Sequence, residues 1–403
     1  MLEKWRKAGL VLVIFLIGLG LRWQAAHRLP VDYDEPVYLR AAQHFAAALV
    51  EGDWEKIIQY KVNYEHPQLV KLVYAAGLTR IPLSKELEWF PYYDPLSESP
   101  RGKELLVARK IAAGLGGLEA AVLAWINPVA GLFLAIHSVT IKYTSVAYLD
   151  ALPALTSLLS VAAFSRAFPM KLTQKDSEQV EAPRWKWLIF SALMLGLSAA
   201  SKYLYAVSGL AMLLYALLLV LLRRVHWRKI IPAVLVWGFT AILFFGAANP
   251  FSWDDPFGRL ERSMRFSFDY ANSEAVSVAE YPFWQPLAWL ARSVPNQMPT
   301  HAMPTLPGAF LIAWDGLIAI LAILGLYELG KRKPIYLVWL LSGLAFLLIW
   351  KTKWPQYVVA VTAPFCLSAG YAVYHVWQKA LVPLLRKIPF VASAEHAARM
   401  NSG

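Results

Sequence analysis

Apolar residues in this sequence gather into long runs separated by polar connections. The runs occupy 8–21, 105–125, 129–141, 151–168, 187–200, 204–222, 230–248, 306–329, 335–350 and 358–377. A helix needs about 20 predominantly apolar residues to cross the hydrocarbon core, so the pattern predicts an all-α, polytopic membrane protein with about ten transmembrane helices.

Two long connections remain, at about 24–104 and 249–305. In the first, 66–81 (HPQLVKLVYAAGLTRI) places apolar residues at helical spacing but carries Lys71 and Arg80, which suits a helix lying in the membrane interface. The aromatic stretch 89–93 (WFPYY) and the acidic turn after it read as an ordered loop. The second connection holds 249–256 (NPFSWDDP) and 281–286 (YPFWQP), dense in Trp and Pro. Aromatic residues at such places anchor a protein at headgroup depth, and they are also surfaces on which sugar rings stack. No low-complexity tract, solenoid repeat or appended soluble domain is visible. One membrane domain over 1–403 is expected, with a tail at about 378–403.

Composition sharpens this picture. Hydrophobic residues make up 58% and charged residues 16%, against roughly 25% charged in soluble domains, and the mean hydropathy is +0.44. A net charge of +12 would suggest nucleic acid in a soluble chain, but here the placement of the charges excludes that partner. Lys and Arg cluster in alternate connections, at Lys4, Arg6 and Lys7; Arg166 to Lys186; Arg223 to Lys229; Lys331 to Lys333; and Lys379 to Lys387. The positive-inside rule makes those ends cytoplasmic. Both termini then lie inside, the two long loops lie outside, and a multi-pass protein of the cell (plasma) membrane with its active site on the external face is expected. The first run is read as a retained span rather than a cleaved signal peptide, because Arg22 and Trp23 stand where small residues would be expected. Cys366, the single cysteine, lies in an apolar run, so it forms no intramolecular disulfide and reads as packing.

Ionisable residues at the ends of spans point to a functional site with a partner, and those in this sequence fall on the external side. Asp34 and Glu35, in 31–40 (VDYDEPVYLR), read either as favourable charge at a helix N-terminus before Pro36 or as catalytic acids. Asp150, in 148–153 (YLDALP), reads either as the cap of the fourth helix or as a carboxylate facing a water-filled cleft. The cations are Lys71 just after His66, Arg109 beside Lys110, Lys202 before Tyr203, and Lys353 in 351–357 (KTKWPQY), which ends at Tyr357. Each has a plain reading as a snorkelling anchor. Outward-facing basic residues nevertheless run against the inside bias, and phosphate is the external group that such cations hold by charge-assisted hydrogen bonds. Carboxylates, cations and aromatic loops on one face are what sugar transfer from a lipid-linked phosphate requires. One carboxylate takes the acceptor's proton, cations stabilise the departing phosphate, and aromatics hold the sugar.

In order along the chain, these motifs resemble the GT-C superfamily of polyprenyl-phosphate-dependent glycosyltransferases, which includes the protein O-mannosyltransferases (glycosyltransferase family 39) and the lipid A aminoarabinose transferases. Asp34-Glu35 sits where that family has its Asp-Glu after the first span, and His66-Pro67-Gln68-Leu69-Val70-Lys71 is similar to the pattern His-Pro-Pro-Leu-Gly-Lys, departing at Gln68 and Val70. Asp150 resembles the acidic residue of the second loop, the segment from Gly196 to Tyr203 resembles the Gly-Leu-Ala to Lys-Trp/Tyr element, and that from Lys353 to Pro364 the late Lys/Arg-Tyr to Pro element. The resemblance implies inverting transfer with Asp34 as general base and Glu35 assisting acceptor binding. Lys202, Arg109 and Lys353 would contact the phosphate of a polyprenyl-phosphate sugar donor, and the acceptor would be a lipid, a glycan or a protein. No cofactor is certain; some members use a divalent metal and others do not. Two rival classes differ in where their charges belong. A transporter or flippase of lipid-linked sugars places them near the midplane in repeated halves, and a scaffold uses them as anchors to membrane lipid alone.

Overall fold

A computed structural model describes residues 2–83, 100–169, 183–292, 306–377 and 379. The 89–93 stretch and the tail after 379 lie outside the described residues. The described residues form helices and turns and no strand, as an all-α chain requires. The helices run in order α1 (Leu2–Arg28), α2 (Glu35–Glu51), α3 (Trp54–Ile58), α4 (Leu69–Leu78), α5 (Pro100–Ile126) and α6 (Pro128–Ile136). Next come α7 (Ser138–Tyr143), α8 (Ala151–Ala167), α9 (Trp185–Ser201), α10 (Val207–Leu221), α11 (Trp227–Ala247) and α12 (Pro256–Ala271). The last are α13 (Glu274–Ala279), α14 (Gln285–Ala291), α15 (Leu306–Arg332), α16 (Pro334–Ile349) and α17 (Val359–Val376).

Four stretches among the described residues are long and apolar enough to cross a membrane: Glu3–Arg28, Tyr203–Leu221, Trp227–Ala247 and Pro355–Val376. Helices α8, α9 and α16 are apolar but shorter, at 17, 17 and 16 residues. With 27 residues α5 is long enough, yet it carries Glu104, Arg109, Lys110 and Glu119 along its length. Glu104, Arg109 and Glu119 are buried, so α5 turns these charges towards its neighbours. Pro at the first turn opens α2, α6, α12 and α16, where its missing N–H costs nothing and its fixed φ suits a helix. Helix α15 packs along α17, α1 along α5, and α9 between α8 and α11. The α15–α17 contact is close enough that a Cβ at Gly325 would strike the Ser368 carbonyl.

The apolar run at 129–141 differs from expectation. It does not form one span: α6 stops at Ile136, His137 is extended, and α7 starts at Ser138. Charges from distant helices stabilise the break. Arg22 of α1 donates to the Leu134 and Ala135 carbonyls at the end of α6, at 3.2 and 3.1 Å. Asp315 of α15 accepts the Ser138 N–H at 3.0 Å and also the Ser138 hydroxyl. Two carbonyls at the end of α6 and the first N–H of α7 thus gain partners from other helices, and the short α7 is redirected towards the end of the bundle that carries Asp34 and Asp150.

Candidate active site

At that end a cavity of about 1440 Å³ opens between the turn before α2, the loop before α4, the 144–150 loop, the start of α10, helix α12 and the 352–357 segment. Asp34, His66, Lys202, Tyr203 and Tyr357 all line it. The structure therefore brings together five residues that are scattered through the sequence.

Asp34 precedes α2, but its side chain makes no capping hydrogen bond. It is half-buried on the cavity wall. Its carboxylate accepts from the Tyr38 hydroxyl at 3.4 Å, and its own N–H donates to the Tyr148 hydroxyl oxygen at 3.3 Å. Loss of water raises this carboxyl to about 6; Lys202 opposes the shift, while Asp32 and Asp150 add to it. Such a group is ionised at neutral pH yet basic enough to accept a proton.

Lys202 follows the last turn of α9 in an extended conformation. Its ammonium reaches both oxygens of Asp150, at 2.8 and 2.9 Å, and lies 5.3 Å from the centre of the Tyr357 ring. Asp150 makes no cap for α8. It is buried behind Lys202, outside the cavity lining, and also accepts from the Tyr205 hydroxyl at 3.0 Å. Burial raises the Asp150 carboxyl, and Lys202 and Tyr205 pull it back. Asp150 therefore holds Lys202 rather than facing the cleft itself.

A second cation on the wall went unnoticed in the sequence. Lys142, near the end of α7, pairs with Asp32 at 2.9 Å, and Asp32 also accepts from the Tyr148 hydroxyl at 2.9 Å. Burial works to raise the Asp32 carboxyl, but Lys142, the Tyr33 N–H and Tyr148 outweigh it, so the net shift is downwards. Lys142 lay one residue past an apolar run, where a single lysine reads as an anchor.

The remaining expected residues sit elsewhere. Glu35 and Arg109 are fully buried and outside the lining. Arg109 gives Nε and Nη2 to the two oxygens of Glu35 at 2.8 and 2.6 Å, and its other N–H groups go to the carbonyls of Ala26, Leu29 and Pro30. Glu35 also accepts from the N–H groups of Ala147 and Asp32, at 2.6 and 2.8 Å. Lys71 is buried and donates to the Asn63 and His66 carbonyls at 2.8 and 3.1 Å, which fixes the loop carrying His66. Burial lowers Lys71 to about 7 against the pull of Glu65. Burial first, then Lys71 and Lys202, holds the His66 imidazole well below its ordinary value, so it is neutral. Lys353 lies outside the cavity lining and donates to the carbonyls of Leu347, Leu348 and Trp350, closing the end of α16. Its neighbours Thr352, Trp354 and Gln356 line the cavity instead.

Among the described residues no three His, Cys, Asp or Glu side chains gather as a metal site.

No family model and no curated protein matches the chain. Solved structures do. ArnT from Cupriavidus metallidurans in the apo state is 18% identical with a TM-score of 0.54, the match covering 96% of this chain and 64% of that one. The same enzyme bound to undecaprenyl phosphate gives 0.50. The oligosaccharyltransferase AglB from Archaeoglobus fulgidus, in complex with an inhibitory peptide and a dolichol-phosphate, is 14% identical with a TM-score of 0.56, over 95% of this chain and 52% of that one. The chain thus spans less than two thirds of the length of these proteins. It has the GT-C fold.

Proposed function

We propose that the protein is a membrane glycosyltransferase that moves a sugar from a polyprenyl-phosphate donor to a lipid, glycan or protein acceptor on the outer face of the cell membrane, with both termini cytoplasmic. The observation that carries this reading is the presence of Asp34 and Lys202 on one cavity wall, with apolar residues such as Leu210 and Phe346 lining the same space.

In this reading the acceptor hydroxyl lies against Asp34, which takes its proton as the acceptor oxygen attacks the anomeric carbon. The bond from that carbon to the phosphate oxygen breaks, and the polyprenyl phosphate leaves with the electron pair. Attack opposite the leaving group inverts the anomeric configuration. Lys202, held by Asp150, neutralises the charge that gathers on the leaving phosphate. Tyr203 and Tyr357 frame this position, and neutral His66 faces the same cavity as a hydrogen-bonding partner that adds no charge. Glu35 and Arg109, with no donor of the guanidinium left over, act as a brace for the turn bearing Asp34. Lys71 does the same for the loop bearing His66. The prenyl chain remains among apolar side chains, which is the reason for a polytopic enzyme.

The test is transfer from radiolabelled polyprenyl-phosphate sugars to endogenous acceptors in membranes carrying the wild-type chain or Asp34→Asn. Label reaching an acceptor only with the wild type is expected. Equal transfer by a folded Asp34→Asn chain would remove Asp34 as the base. The absence of transfer from every donor by a folded wild-type chain would overturn the reading.

A further inference from the structure

Helix α12 has three faces. Arg259, Ser263, Phe266 and Tyr270 turn towards the protein. Arg259 donates to the Ile58 carbonyl at 2.8 Å and the Ser263 hydroxyl to that of Tyr64 at 3.1 Å, which fastens the helix to the end of α3 and to the loop before α4. A second face is charged and exposed, with Glu261, Arg262, Arg265 and Asp269. The third is apolar and exposed: Phe257 at 86%, Leu260 at 37%, Met264 at 43% and Phe268 at 54%. These four recur at three- and four-residue steps, so they form one stripe.

That stripe is continuous with the cavity. Met264 and Phe268 line it, as does Leu210 of α10, which is 47% exposed and lies in a stretch apolar enough to cross a membrane. Phe268 meets Trp350 edge-on at 5.6 Å, and Trp350 stands at the C-terminal end of apolar α16. The stripe therefore lies level with the C-terminal end of apolar α16. At the N-terminal end of α12, exposed Trp54 and Trp253 stack at 5.9 Å, an aromatic pair of the kind that sits at headgroup level.

We propose that α12 lies flat in the membrane surface with its apolar stripe in lipid, and forms the sill over which the prenyl chain passes into the cavity. An apolar face directly beside an exposed charged face is unstable in water on one side and in hydrocarbon on the other. The bilayer surface suits both at once. The inference rests on the lipid-linked donor proposed above for its second half only; the seating of the helix stands independently of catalysis.

The experiment uses the full chain in liposomes of phosphatidylethanolamine and phosphatidylglycerol, with single cysteines introduced at 257, 260, 261, 262, 264, 265 and 268 and spin-labelled; native Cys366 is buried. Labels at 257, 260, 264 and 268 are expected to be relaxed by oxygen, and those at 261, 262 and 265 by a water-soluble nickel chelate. Nickel access at every position would place α12 in water and overturn the seating. A stripe shielded from both agents, with spin–spin broadening, would mean that a second copy covers it and would equally overturn it. For the sill, Phe257→Asp and Leu260→Asp, which lie outside the cavity, are compared on a long-chain donor and on a short-chain soluble one. A loss of about tenfold in kcat/KM on the long-chain donor alone is expected from unseating one apolar side chain; equal loss on both donors would overturn the sill. If wild type turns over neither donor, the proposed function fails while the spin-label result still decides where α12 sits.

Discussion

Arg109 grips Glu35 with two hydrogen bonds at 2.8 and 2.6 Å, and gives every remaining N–H to the carbonyls of Ala26, Leu29 and Pro30. The pair is wholly buried. It ties the end of α1 to the start of α2, the two elements that bracket Asp34. A saturated guanidinium has no donor left over for a phosphate, which fits the bracing role proposed for this pair.

Breaking it should cost stability. Arg109→Met or Glu35→Gln leaves an uncompensated buried charge or unmet carbonyls, a loss of about 3–5 kcal/mol. Thermal unfolding in detergent should show a large fall in Tm for either variant. Arg109→Lys should fail to restore it, since an ammonium cannot reproduce the planar fork. Wild-type Tm in Arg109→Met would show that the pair braces nothing.

Asp34 should set the pH dependence of transfer. Its carboxyl stands at about 6 in the folded protein against an ordinary 3.8, and a base works only when ionised. Activity should rise with pH through a single ionisation near 6 and level off above it. Asp34→Asn should lose about 10²–10⁴-fold in kcat. The sign for stability is opposite to that of a salt-bridged Asp: a raised folded pKa favours the folded state below 3.8, and this contribution is lost as pH rises through 6. Asp34→Asn should therefore raise Tm at pH 7.5 but leave it near wild type at pH 3.5. A pH–rate curve flat from 5 to 8 would sink the assignment.

Lys202 and Asp150 should differ in degree. Lys202→Met removes the cation from the cavity wall and should lower kcat/KM by about 10²–10³-fold, the loss typical of deleting one donor to a developing anion. Asp150→Asn keeps the cation but loosens its hold at 2.8 and 2.9 Å, so a smaller fall is expected. Kinetics of both variants on one donor decide the order; a greater loss for Asp150→Asn would mean that Asp150 itself meets substrate.

The helical character of the chain and five of the residues that line the cavity were legible because they depend on local pattern. Apolar runs announce helices wherever the environment demands apolar surface, and Asp34, His66, Lys202, Tyr203 and Tyr357 stand out as polar or aromatic residues beside such runs. What was hidden depends on partners far away in sequence. The break at His137 lies within an unbroken apolar run, because the groups that stabilise it, Arg22 and Asp315, come from other helices; Arg22 and Leu134 are 112 residues apart. Glu35 and Arg109 look like site residues from sequence alone, since a buried brace and an active-site charge are the same letter. Lys142 reached the cavity only because that hidden break turned α7 towards it.

Thr352 and Lys353 are neighbours with opposite expected behaviour, and the contrast separates packing from recognition. Lys353 closes the end of α16 and lies off the cavity lining, so Lys353→Met should cost about 1–3 kcal/mol of stability while leaving KM for the donor unchanged. Thr352 lines the cavity and its buried hydroxyl has no partner in the protein. A buried hydroxyl without a partner destabilises a fold, so Thr352→Val should keep or raise Tm. If that hydroxyl meets a sugar hydroxyl during transfer, the same variant should lose about fivefold or more in kcat/KM, while inhibition by polyprenyl phosphate, which carries no sugar, stays the same. Stability gained with transfer lost is the signature of a group kept for its ligand. Unchanged transfer by Thr352→Val would mark the hydroxyl as a packing defect, and a raised donor KM in Lys353→Met would return Lys353 to the phosphate.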